Sequence, residues 1–202
     1  MVRGKLLIVA SAILFLVASV ASAYTPGVPT GLAGAPGEDT CANCHDNLNN
    51  GPGSATITAP SQYSAGETIE VTVDVSHVGQ EKWGFTLTAL DDSNNPVGDF
   101  VVTDAERTQL DIDGGNGRQY MMHTEPGTDT GVLDSSPGWT FQWVAPAARP
   151  AVTFYLAALA ANDAQGTNGD YTYTATHTSS QLETGLAEPD VTTWGRMKSL
   201  YR

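Results

Sequence analysis

The chain has 202 residues, with 22 acidic against nine basic side chains and a formal net charge of −13. Such a negative surface repels nucleic acid and anionic membrane faces. Two cysteines, three positions apart, are too few for a small fold stapled by disulfides.

The first residues read as an export signal of residues 1–23. Arg3 and Lys5 are followed by a nearly continuous apolar run from Leu6 to Val20 and by the small-x-small triplet Ala21-Ser22-Ala23. That run is short for a membrane span, which needs ~20 residues. Cleavage before Tyr24 leaves 179 residues, enough for one domain with a full core. Losing Arg3 and Lys5 leaves seven basic against 22 acidic residues, a net charge of −15. The expectation is an exported protein, periplasmic, extracellular or held at the cell surface, with no transmembrane anchor after cleavage and no nucleic-acid partner.

Residues 24–54 form the next unit. Gly, Pro, Thr and Asn are frequent in it and periodic apolar patterning is weak, so an irregular, extended segment is predicted. From about residue 55 short alternating runs begin. Ile69, Val71, Val73 and Val75 fall on one face of 69–77, and Trp83, Phe85, Leu87 and Ala89 on one face of 82–90. Trp139, Phe141 and Trp143 alternate in 138–144, residues 151–161 are apolar on both faces as in a central strand, and Tyr171, Tyr173 and Ala175 alternate in 170–177. Turn-forming clusters at 91–96, 113–117 and 167–170 separate the runs, and no run has a helical period. Seven to nine short strands spaced this way predict an all-β, antiparallel, two-sheet sandwich over 55–180, preceded by the irregular segment. The tail, 181–202, carries Trp194, Met197 and Tyr201 beside Arg196, Lys198 and Arg202, and is read as a docking segment or a loosely packed end.

The motif that carries chemistry is Cys41-Ala42-Asn43-Cys44-His45. In C-x-x-C-H the two thiols form thioether bonds to one porphyrin, and the adjoining imidazole becomes the proximal iron ligand. A thioredoxin-like redox pair would want a βαβ setting, a structural zinc site would want four ligands, and a plain disulfide is a third alternative. One covalent haem c is the expectation, with Cys41 and Cys44 as attachment points and His45 as proximal ligand.

For the sixth position of the iron, His123 is the leading candidate, followed by Met121 or Met122 and then His77, with His177, an open site or a ligand from another chain as the remaining options. Alternation places Met121 and His123 on one face of their strand and Tyr120 and Met122 on the other, so Tyr120, Met121 and Met122 are candidate pocket residues. Asp111-x-Asp113-Gly114-Gly115-Asn116-Gly117 has a faint calcium-loop look but carries Met122 where such a loop needs an acid, so a turn is expected. Asn162, Asp163, Asn168 and Asp170 could gather around a cation, though loop chemistry explains them equally well.

Several segments together resemble the bacterial Reeler-like domains of the choice-of-anchor V type: Gly34-Ala35-Pro36-Gly37 leading to the Cys41 motif, Trp83-Gly84-Phe85-Thr86-Leu87, Tyr120 with His123-Thr124, Trp139 to Pro146, Val152-Thr153-Phe154-Tyr155, and Ala160-Ala161-Asn162 leading to Gly169-Asp170-Tyr171. The resemblance spans about residues 31–178. It implies an immunoglobulin-like sandwich on exported or surface-held proteins, many of which carry a haem signature. The functional expectation is a monohaem carrier that exchanges electrons with redox proteins or among self-associated copies. Peroxidase or gas-binding activity is expected only if the sixth iron position is open. The alternative is a non-catalytic surface or adhesion-type module in which haem is structural or absent.

Overall fold

The protein is described from a computed structural model covering residues 27–45, 51–148 and 151–182. The expected signal peptide of residues 1–23, its expected cleavage point and the Trp194 tail lie outside these residues.

Among the described residues there are ten strands: β1 (Ser54–Thr58), β2 (Gln62–Tyr63), β3 (Thr68–Ser76), β4 (Lys82–Leu90), β5 (Asp99–Val101), β6 (Thr108–Ile112), β7 (Gln119–His123), β8 (Trp139–Val144), β9 (Ala151–Ala161) and β10 (Tyr171–Gln181). The helical structure described is two short 3-10 turns, Cys41–Asn43 and Pro126–Thr128. One sheet has the order β1-β3-β8-β5 and the other β2-β10-β9-β4-β7-β6. This is the expected all-β sandwich with two departures: there are ten strands rather than seven to nine, and β2 pairs with β10 in parallel, over Gln62 and Tyr63 alone.

The alternating runs form strands because each presents a row of branched or aromatic side chains to the opposite sheet. In β3, Ile69, Val71, Val73 and Val75 are buried, while the residues between them are exposed or partly exposed. From β8, Trp139, Phe141 and Trp143 point inward. They meet β4 and β9 through close ring contacts, Phe85 with Trp139 at 4.7 Å between centroids and Trp143 with Phe154 at 5.3 Å, edge to face. Each core tryptophan also uses its N–H. Trp83 donates to the Val132 carbonyl, Trp139 to that of Gly127 and Trp143 to that of Val97, at 2.9, 2.9 and 3.1 Å. Three loops are thereby tied to the core.

β4 departs from simple alternation. Its face away from the core, Gly84, Thr86, Thr88 and Leu90, is buried too. The same outer face on β7 carries Tyr120 and Met122, which pack with Ala33 and Val28 of the irregular segment. A position on Gly27 would meet the Met122 sulfur, and one on Gly34 would meet Thr174 of β10. Residues 27–45 therefore lie across the outer face of the six-stranded sheet. They form a third layer that positions the Cys41 motif.

Candidate functional site

The motif is wound into a single turn. Thr40 is extended and its hydroxyl oxygen accepts from Ala42 N at 3.2 Å, capping the turn. Asn43 N donates to Thr40 O, while Cys44 N and His45 N both donate to Cys41 O. This winding brings two thiols and an imidazole onto one turn. Neither cysteine is in a disulfide; Cys41 is buried and Cys44 exposed. Burial pushes the Cys41 thiol up to about 12. A reactive dithiol needs the opposite, a thiolate stabilised near neutral pH. Burial thus disfavours Cys41 as the nucleophile of a thioredoxin-like pair.

His45 reaches the sheet. Its Nδ1–H donates to Asp170 Oδ2 at 2.7 Å, and the Asp170 side chain is almost wholly buried, at 3 % exposure against 31 % for His45. Asp170 immediately precedes β10, in phase with Thr172 on the outer face. Thr172 pairs with Leu159 of β9, and Leu159 with Gly84 of β4. Thr172 and Gly84 thus stand on the same face, two strands apart and about 10 Å across the sheet, with Asp170 one further same-face position along, roughly 12 Å from Gly84.

At Gly84 stands His123. The β4–β7 ladder is paired at Leu87–Met121 and Thr86–Met122 and goes no further. Where Phe85 would meet His123 by backbone, the imidazole intervenes, with Nδ1 3.0 Å from both Phe85 N and Phe85 O. Only one of these bonds forms in a given tautomer. The ring lies against Gly84, where a Cβ would fall 2.8 Å from its Cε1. Alternation predicts that Met121 and His123 share a face. Met121 does point into the inter-sheet core, but the His123 ring turns to Gly84 on the outer face, because β7 parts from β4 there. Burial lowers the His123 pKa, the Phe85 backbone bond opposes this, and nearby His45 lowers it further.

A clasp holds the irregular segment in place. Glu38 accepts from Tyr120 Oη at 2.6 Å, from Arg118 Nη1 and, through its other oxygen, from Ala33 N at 3.1 Å. The Arg118 and Glu38 side chains are 11 % and 5 % exposed. Burial and the Glu38 carboxylate both hold the Tyr120 phenol well above its usual range. The candidate pocket residues thus divide. Tyr120 and Met122 face the irregular segment, and Met121 is enclosed by the core.

The other sequence candidates lie elsewhere. His77 is buried at the end of β3, stacked on Tyr171 at 3.9 Å, with Nδ1 2.5 Å from Tyr173 Oη. His177 is near Pro60 O on an exposed stretch of β10. The Asp111–Gly117 stretch is a turn in which Asp113 accepts from Gly115 N and Asn116 from Arg118 N. Asp163 pairs with Lys82, and Asn162 reaches Asn168 O, so these residues do not converge with Asp170. Among the described residues there is no cluster of three or more His, Cys, Asp or Glu side chains able to hold a metal ion, and no helix long and apolar enough to cross a membrane. Asp170 and Glu38 are the contributors that sequence reasoning missed as partners of the motif.

The chain matches no family model and no curated protein. Among solved structures it is similar to a non-cellulosomal cohesin from the hyperthermophilic archaeon Archaeoglobus fulgidus, at 13 % identity and a TM-score of 0.32, over 60 % of this chain and 90 % of that one. At that level the similarity carries no function across.

Proposed function

We propose that the chain is an exported monohaem c-type protein, with Reeler-like kinship, that carries electrons in the periplasm or at the cell surface. The observation that carries this reading is the matched state of the two imidazoles. A metal-binding histidine typically commits one ring nitrogen to a carboxylate or carbonyl, which fixes the ring and leaves the other nitrogen for the metal. His45 commits Nδ1 to Asp170, and in the tautomer that donates to Phe85 O rather than accepting from Phe85 N, His123 commits Nδ1 in the same way, so that both leave Nε2. The residues fit a covalent haem in two further respects. Both thiols lie unbridged on the turn that carries His45. On the same sheet face the buried hydroxyls of Thr86 and Thr88 have no hydrogen-bond partner.

In this reading Cys41 and Cys44 would hold the porphyrin, and His45 and His123 would be the residues that ligate its iron. Haem iron supplies one-electron exchange between its ferric and ferrous states. The protein's own contribution is placement. Asp170 orients His45, Gly84 leaves room for His123, and the Glu38 clasp keeps the attachment segment on the sheet. Redox proteins or further copies of the chain are the proposed partners.

The test is expression of the full chain with haem-maturation machinery. A haem-stained band on a denaturing gel, the mass of one covalent haem and a low-spin, reversibly reducible spectrum are expected. His123→Ala should turn that spectrum high-spin. A second reading, a non-catalytic surface module with structural haem or none, is favoured by one observation: the chain's own hydrogen bonds at Glu38 and Asp170 dock the segment on the sheet. Bare sulfurs after competent maturation would establish it.

A further inference from the structure

We propose that Asp170 sets the redox potential of this centre, holding it low by placing a carboxylate behind one axial imidazole while the other receives only a backbone carbonyl. The inference rests on the haem reading above. It begins from an asymmetry. The His45–Asp170 bond is 2.7 Å long, within the range of charge-assisted bonds, and its acceptor is a buried carboxylate. His123 Nδ1 has only the neutral Phe85 backbone within reach, its carbonyl and its N–H both at 3.0 Å, and in the donating tautomer the bond goes to the carbonyl.

Two effects of Asp170 act in the same direction. The carboxylate draws the Nδ1 proton toward itself, so the His45 ring gains imidazolate character and Nε2 becomes the stronger donor. A stronger donor favours the ferric ion. The negative charge also favours the more positive oxidation state directly, and it is poorly screened because water does not reach it. Among the described residues no Lys or Arg pairs with Asp170. Lys82, two strands away, is partly exposed and paired with Asp163. Sequence separation hides this role, since Asp170 lies 125 residues from His45. It acts through His45 and is a positioning residue rather than one that touches the iron.

Asp170→Asn in the full, haem-loaded chain is the test. An amide oxygen still accepts from Nδ1–H, so ring placement is kept while the charge is lost. The covalent haem and low-spin spectrum should remain. The ferric-to-ferrous preference should fall at least tenfold, a rise of about 59 mV in midpoint potential for one electron. Asp170→Glu should restore most of the lower potential, and Asp163→Asn should leave it where it was. A loaded, low-spin Asp170→Asn protein with the parent potential would overturn the proposal. Should that variant fail to fold, nitrogen NMR of the reduced parent decides. His45 Nδ1 should be shifted toward the deprotonated range relative to His123 Nδ1, and equal shifts refute the idea. A parent without haem refutes the underlying reading as well, whereas a loaded parent with an unmoved potential refutes this inference alone.

Discussion

The imidazole of His123 and the bare α-carbon of Gly84 share one space: a methyl group at residue 84 would stand 2.8 Å from His123 Cε1. Gly84→Ala must therefore displace the ring or bend β4. Overfilling a packed site typically costs about 1–3 kcal/mol, and a urea titration of the unloaded protein should show a loss of that size. In the loaded protein the same change should shift the iron toward high spin, since it moves the proposed ligand without removing it. Parent stability together with a parent spectrum would mean that His123 does not stand where it is described.

The two thiols should differ sharply toward an alkylating reagent. Cys44 is exposed, while burial holds Cys41 near 12. At pH 8 the folded, unloaded chain should take one label quickly, at Cys44. The second should follow roughly a hundredfold or more slowly, as expected when both the thiolate fraction and access fall. Peptide mapping locates the label, and denaturant should remove the difference.

Glu38 is the most consequential acid outside the motif. Its carboxylate receives donors from Arg118, Tyr120 and Ala33 with little water present. Removing one partner of a buried ion pair leaves the other uncompensated, at about 3–5 kcal/mol. Glu38→Ala should destabilise the domain on that scale and loosen residues 27–45 from β7. Hydrogen exchange at Ala33 and Tyr120 would report the loosening.

His77 gives the unloaded domain a pH dependence of definite sign. Gly53 N–H donates to Tyr173 Oη, and Tyr173 O–H in turn supplies His77 Nδ1. Burial lowers the His77 pKa below its ordinary value near 6.5. The unfolded chain therefore takes up a proton at a pH where the folded chain does not. The stabilisation is complete above about pH 6.5 and is lost as pH falls toward the lower folded value. Protonating Nδ1 would also remove the acceptor for Tyr173. His77→Gln should flatten the stability–pH curve just below pH 6.5 by at most about 1.4 kcal/mol per pH unit, the limit for one proton. An unchanged slope would place the titration elsewhere.

Much of this architecture was legible from alternation alone, and the exceptions have physical causes. β3, β4, β8, β9 and β10 carry large inward side chains at period two, and the runs expected from the pattern overlap them closely. β2 and β5, of two and three residues, are too short for periodicity to register, and in β6 only Leu110 and Ile112 supply apolar side chains, neither of them fully buried. Thr86 and Thr88 read as solvent-facing because a strand pattern does not report a third layer, yet both are fully buried. Within the site the Cys41 motif was visible because its chemistry depends on local spacing. Asp170 read as a turn residue because its partner is supplied by the fold. The His123 ring escaped the face assigned by alternation because that rule assumes the strand continues, and here the ladder ends.

The tryptophan bonds to loop carbonyls have a consequence for the chain just after His123. Thr124 N donates to Arg107 O, Thr124 Oγ1 to Glu106 O and Gln109 Nε2 to His123 O, while Trp139 grips Gly127 from beneath. The Arg107 guanidinium adds two bonds to Asp129. A connection of this kind would ordinarily be the softest part of a sandwich, open to proteases and costly to order around a guest. Here it is braced on both sides. The imidazole it follows is presented by an already rigid frame, and little freedom remains to be surrendered when that ring acquires a partner.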